Sequence, residues 1–349
     1  MRTGSALTLL ALMISGCGKE EVAPTAGPSA ETPPALNLPL IVYATMPASR
    51  LQPVLDAYTA ETGKKVQLVT GDRDIASPSD AGQGSLPAAD LLLVRSLSEL
   101  WPFAEKNGFR PTFSASIEVN IPQDLRDPES RWTALGTHGR IVVYNTERVS
   151  VDALGDVDDY AALGDNAWRD KLCLSSSQLP GNRTLVAFLI RQYDLRDAEI
   201  VVRKWLANLA TNVFADDRSL MDAVADGQCA IGITGSHELA RYLSANAAAP
   251  IALHFFADSG SVAVDASGGG VTRHARNPRD AAELLSWLTT NAPNALYAAQ
   301  NQEFPANAVA PLSRSIEAWR DLVSAPTSLS ALGFLHEDTI LLNKRARYP

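Results

Sequence analysis

The sequence predicts an α/β fold on three observations. Continuous apolar runs mark strands buried on both faces. Stretches with apolar residues three and four apart mark helices, and the two kinds alternate along the chain. At 349 residues the chain exceeds the roughly 250–300 that one core usually supports, so two domains are expected. Its composition, 46% hydrophobic and 20% charged with 22 Gly and 21 Pro, excludes collagen, coiled coil and wholesale disorder. A net charge of −9 without any basic stripe excludes a nucleic-acid partner, which would need phosphates neutralised.

The elements follow in order. Residues Ala6 to Ile14 are apolar behind Arg2, too short a run for the about 20 residues of a membrane span and typical of a secretory signal. Its end, Ile14-Ser15-Gly16-Cys17, resembles the bacterial lipoprotein signal. That resemblance implies acylation of Cys17, with 1–17 the signal and the lipid a membrane anchor. Residues 18–37 are rich in Pro, Ala and Glu and form a flexible tether. A strand over Leu38–Tyr43 precedes a helix with Leu51, Val54, Leu55 and Tyr58 on one face, stopped by Gly63. Strands over Lys65–Thr70 and Ala89–Val94 follow, then a helix carrying Leu97, Leu100 and Trp101. A second block opens with a strand over Arg140–Asn145. It continues with the strand Lys171–Leu174, helices over Arg183–Tyr193 and Ile200–Ala210, a helix near Ser219–Asp226 and the strand Cys229–Ile233. Ser261–Val264 and Gly270–Thr272 are strand-like, and Pro278–Asn291 is a helix.

Motifs for catalysis are wanting. His237-Glu238 opens like the zinc-protease helix, but Arg241 stands where the second histidine is required. The triplet Gly268–Gly270 lacks the Lys-Ser/Thr of a phosphate loop and reads as a turn. No nucleophile elbow occurs. The chain is therefore read as no enzyme, with no cofactor and no metal. His138, His237, His254, His274 and His336 are scattered, and a lone histidine is more often a satisfied or surface residue than a ligand. Cys173 and Cys229 fall on predicted strands, where a disulfide and two buried thiols both stay open.

Taken together, the segments resemble the periplasmic ferric-iron-binding proteins of ABC importers. The likeness is carried by Ile41–Tyr43, Leu51–Tyr58, Glu61–Gly63, Ala89-Asp90, Leu125–Pro128 with Arg131-Trp132, and Arg140–Thr146. It continues through Asp159–Leu163, Trp168–Cys173, Asp217-Arg218, Ala225–Cys229, Gly270–Ala275 and Phe304–Asn307. It implies a two-lobe periplasmic binding protein fold with crossing hinge strands. Lobe 1 would comprise 38–140 and 265–318, lobe 2 141–264 and 319–349. The implied partners are a small-molecule or lipid ligand, membrane transporter components and the membrane reached through the anchor; the chain itself would be a monomer.

The resemblance fails at the iron ligands. Iron-binding members carry two adjacent tyrosines where His237 and Glu238 stand, a histidine where Pro47 stands and a carboxylate where Arg95 stands. Ferric iron prefers anionic oxygen donors, so the expectation is a solute-binding lipoprotein with a non-ferric cargo, iron(III) being an alternative. The expected ligand set is Thr45 and Met46 on one cleft edge, with Arg95 as a charge. Opposite would stand Ser175, Ser176, Ser177 and Asn182, matching the family's anion-holding loop. His237 and Glu238 would be reworked metal ligands, Tyr144 would mark the lobe crossing, and Glu118 and Asn120 the loop before it. Hydroxyl and amide groups beside apolar side chains suit an organic ligand with one polar end. The family resembles, at fold level, a bacterial sterol-carrying binding protein, so a sterol or lipid is a further alternative. An organic anion held by Arg95 and the serines is another.

Overall fold

The computed structural model describes residues 39–71, 89–256, 262–323 and 328–349. Cys17 and the tether lie outside them. Apolar runs supply the inner strands β1 (Leu40–Ala44) and β3 (Leu91–Val94), and the half-exposed β2 (Val66–Thr70) forms the edge beside β1. The helix α1 (Ala48–Thr62) packs on them by burying Leu51, Val54, Leu55 and Tyr58, the face its spacing predicts. It ends at Gly63, whose φ of 71° is the left-handed conformation that suits glycine. Helices α2 (Leu97–Glu105) and α3 (Ala115–Asn120) follow, then the long strand β4 (Thr133–Asn145).

The later half adds β5 (Leu172–Cys173), α4 (Pro180–Ala207), α5 (Asp217–Ala225), β6 (Ile231–Gly235), α6 (Ser236–Ala245), β7 (Ile251–His254) and β8 (Ala263–Val271). It closes with α7 (Pro278–Leu288), α8 (Asn291–Asn301), β9 (Phe304–Pro305), α9 (Leu329–Gly333) and α10 (His336–Ala346). The two helices expected between Arg183 and Ala210 are one element broken at Asp194, where φ is +67°. Asp194 Oδ1 there accepts from the backbone of Arg196 and Asp197 and restarts the helix. The two strand-like runs expected around Val264 and Gly270 are a single strand. The glycines between them are not a turn, because each faces a neighbouring backbone too closely for any side chain: a Cβ at Gly269 would lie 2.0 Å from the Leu92 carbonyl oxygen.

The sheet runs β2-β1-β3-β8-β4-β6-β5, with β7 and β9 also paired to β4. Pairing is parallel among β1, β2 and β3 and antiparallel at β3–β8, β8–β4 and β4–β6. The long strands β4 and β8 thus run through the middle, with one lobe's strands on either side. This is the two-lobe α/β architecture. Because the crossing strands carry the sheet through unbroken, Pro39–Pro349 forms one compact unit. A disulfide joins Cys173 on β5 to Cys229 just before β6, resolving the alternative left open by the sequence. Among the described residues no helix is long and apolar enough to cross a membrane.

Candidate functional site

Strand β4 is buried almost throughout, yet it carries Gly136, His138 and Arg140 at every second position, hence on one face. Its register sets Gly136 opposite Ser267, His138 opposite Asp265, and Arg140 opposite both Ala263 and Gly235. That face looks into a cleft of about 250 Å³. Arg95, Ser96, Asp265, Leu179 to Gly181, Asp216 to Arg218, His237 and Glu238 also line it.

Both terminal nitrogens of Arg140 are engaged, while its buried Nε has no hydrogen-bond partner. Its Nη1 lies 2.6 Å from Asp217 Oδ2, and its Nη2 donates to Asn182 Oδ1 at 2.6 Å. Asp217 also accepts from Ser175 Oγ at 2.6 Å and from the Gly235 backbone at 3.1 Å. Burial alone would raise the Asp217 carboxyl, but the Arg140 charge and these donors outweigh it and hold it below the usual range.

His138 meets different company. Its Nε2 lies 3.6 Å from Asp265 Oδ2, and its Nδ1 lies 3.3 Å from Glu303 Oε1. Glu303, directly before β9, accepts from Ser267 Oγ, which in turn accepts from the Tyr297 hydroxyl at 3.1 Å. The His237 ring lies against that of His138 with centroids 3.9 Å apart. His138, His237 and Glu303 offer ligand atoms within 4.8 Å of one another. The His237 Nδ1 is buried without a hydrogen-bond partner, and that of His138 faces only the Glu303 carboxylate. Burial lowers the His138 imidazolium, but the facing carboxylates outweigh it and raise it to about 9. Burial, aided by the neighbouring His138 charge, drives His237 well below its ordinary value.

Two glycines make room for this group. A Cβ on Gly136 would lie 2.1 Å from Glu303 Oε2, and one on Gly235 would lie 2.6 Å from the His237 ring.

The matching family model, bacterial extracellular solute-binding protein, spans residues 54–323. The chain belongs to this family. Its members bind solutes, in keeping with the absence of catalytic motifs. Among relatives, iron uptake protein A1 of Synechocystis sp. is 28% identical over 95% of this chain and 92% of its own length. The major ferric iron-binding protein of Neisseria meningitidis serogroup B is 23% identical over 77% of this chain and 81% of its own. A Trichodesmium FutA structure in complex with iron and citrate ligands superposes with a TM-score of 0.78 at 26% identity, covering 89% of this chain and 99% of that one. Ferric iron-binding protein A of Mannheimia haemolytica, in an open conformation, does so with a TM-score of 0.79 at 23% identity over 88% and 98%.

The expected site residues divide. Arg95, His237 and Glu238 line the cleft. Arg95 lies 3.7 Å from Glu99, and Glu238 pairs with Arg241. Thr45 and Met46 are buried beneath it: Thr45 Oγ1 donates to Glu99 at 3.3 Å, and Met46 Sδ lies 3.4 Å from the Tyr297 hydroxyl. The serine loop is turned elsewhere. Ser175 and Asn182 serve the Arg140–Asp217 group. Ser176 and Ser177 donate to the carbonyls of Pro349 and Tyr348, so the chain's end occupies the hydroxyls expected to hold an anion. Glu118 borders a separate depression near Arg126 and Trp132, while Asn120 donates to Ser116. Tyr144 sits farther along β4, opposite Ile231 and Ala252.

Sequence reasoning overlooked His138, Arg140, Asp265 and Glu303. The available signal was polar residues two apart inside an otherwise apolar strand, where a buried charge demands partners.

Proposed function

We propose that this chain is the periplasmic receptor of an ABC importer and that its cargo is iron, captured in the cleft between the lobes 38–140 with 265–318 and 141–264 with 319–349. One observation carries the reading: two imidazoles that line the cleft and a buried carboxylate beside them offer ligand atoms within reach of one ion. The names of its relatives, an iron uptake protein and ferric iron-binding proteins, support it. Cys17 would anchor the receptor by lipid, keeping it beside its transporter.

This reading replaces the expected non-ferric organic cargo. The serines meant for such a ligand are occupied by Tyr348 and Pro349. The cleft, at about 250 Å³, also falls below the ~300–1,000 Å³ of typical organic-ligand pockets. Incubating the purified mature chain with ferric citrate and, separately, with ferrous salt, then desalting and measuring metal, should leave one iron per chain from at least one source. No retained iron from either would refute the proposal.

A second reading has one observation in its favour. A larger groove of about 530 Å³ lies among α2, α4, α9 and α10, lined by Trp101, Pro102, Phe334 and Ile340, with Arg183 and Glu99 also lining it. It would suit an amphipathic organic molecule. Native mass spectrometry of the protein taken from its own host separates the two readings by the mass that co-purifies.

A further inference from the structure

We infer that His138, His237 and Glu303 bind a divalent first-row cation directly, so that the iron taken by this receptor is ferrous. The inference rests on the proposed iron reading and adds the ligands and the oxidation state.

The donor set is the first ground. Two imidazoles and one carboxylate suit Fe(II) and its divalent neighbours, whereas a ferric ion calls for several anionic oxygens. None of the eight tyrosines in the chain lines the cleft. Tyr297, which comes near, is buried and bonded to Ser267 and Met46.

Geometry is the second. Ligand atoms within 4.8 Å of one another can be drawn onto one ion, with bonds of about 2.0–2.2 Å, by small side-chain shifts. The His237 Nδ1 is buried with no hydrogen-bond partner, a lone pair or N–H group that no protein group satisfies. A metal bond to the imidazoles would answer that deficit.

The supporting shell is the third. Ser267 donates to Glu303, Tyr297 donates to Ser267, and Asp265 stands beside His138. Asp265 is itself fixed by Ser96 Oγ at 2.7 Å and by the backbone of Leu97 and Ala266. Ligands oriented from behind in this way are characteristic of metal sites. Glycine at 136 and 235 lets Glu303 and His237 approach, as a side chain at either position would collide with them.

The test uses the purified mature chain, titrated with Co(II) in air, with Fe(II) anaerobically and with ferric citrate. The expected result is one Co(II) per chain with a visible ligand-field spectrum of nitrogen and oxygen donors, displaced by Fe(II). His237→Gln and Glu303→Gln should each weaken Co(II) binding by about 10–100-fold or more and alter the spectrum. Variant His274→Ala, at an exposed position, should bind as the parent does. Circular dichroism and unfolding curves establish that each variant is folded. The inference is overturned if divalent binding is absent or is unchanged in both folded variants. It is also overturned if ferric citrate binds tighter than Fe(II) and is indifferent to both substitutions; that result would leave iron carriage standing. Histidine-dependent Co(II) binding in a protein that retains no iron would instead uphold the ligand set and refute iron as the cargo.

Discussion

His138 and Arg140 sit two residues apart on the same face of β4, both buried, yet their surroundings differ in kind. Around Arg140, Asp217, Asn182, Ser175 and the Gly235 backbone answer one another at 2.6 to 3.1 Å. Around His138 there are two carboxylates, at 3.3 and 3.6 Å, and a second imidazole whose Nδ1 has no hydrogen bond. A closed polar network fixes a backbone, because opening any part strands the rest. Longer contacts, as around His138, leave donor atoms with bonding capacity that a ligand can use. Buried polarity alone therefore does not mark a site; the gathering of metal-ligating atoms at His138, His237 and Glu303 does.

The comparison breaks most visibly at Arg140. Arg140→Ala leaves Asp217 buried and unpaired, and should cost about 3–5 kcal/mol of stability in denaturant unfolding. A loss below 1 kcal/mol would mean that the network is not structural. Next in size is the acid limb. The folded-state pKa of Asp217 is depressed, so the stability it contributes is full above its unfolded value of about 3.8 and fades as pH falls through the folded value. Asp217→Asn should therefore remove part of the loss of melting temperature below pH ~4. An unchanged acid limb would assign that loss to other carboxylates.

At the open network the same kind of change should do less to the fold. His237→Gln is expected to alter stability by no more than about 1 kcal/mol while abolishing most divalent-metal binding. A large destabilisation would place His237 with the scaffold. The smallest effect belongs to Glu99, buried next to Thr45. Burial raises its carboxyl, against the lowering charge of Arg95. Its sign is opposite to that of Asp217, since stability grows as pH falls through the raised folded value towards the ordinary 4.5. Glu99→Gln should flatten that rise and change neutral-pH stability by less than about 1 kcal/mol. A drop of several kcal/mol would show that the ionised form is required.

Much of the fold was legible because its rules are local. The face Leu51, Val54, Leu55 and Tyr58 follows from helical spacing, and the stop at Gly63 from a backbone conformation that glycine adopts freely. The break at Asp194 appeared only as a gap between two helices, yet it is one element restarted by a cap. Gly268 to Gly270 was misread because glycine marks turns and close backbone approach alike. In the site, His237, Glu238 and Arg95 were legible through family position. The serine loop was misassigned because its partners, Tyr348 and Pro349, lie more than 170 residues away in sequence.

By itself, the sequence determined the alternation of strands and helices and the family. These depend on residues near one another in the chain or on order along it. Only the tertiary structure decided that His138, His237 and Glu303 meet, and that Ser175 to Ser177 bond to the protein's own groups. The physical reason is that a side chain's bonding is settled by whatever the crossing strands bring opposite it. Burial then makes each satisfied or unsatisfied atom count, and neither can be read from spacing along a single segment.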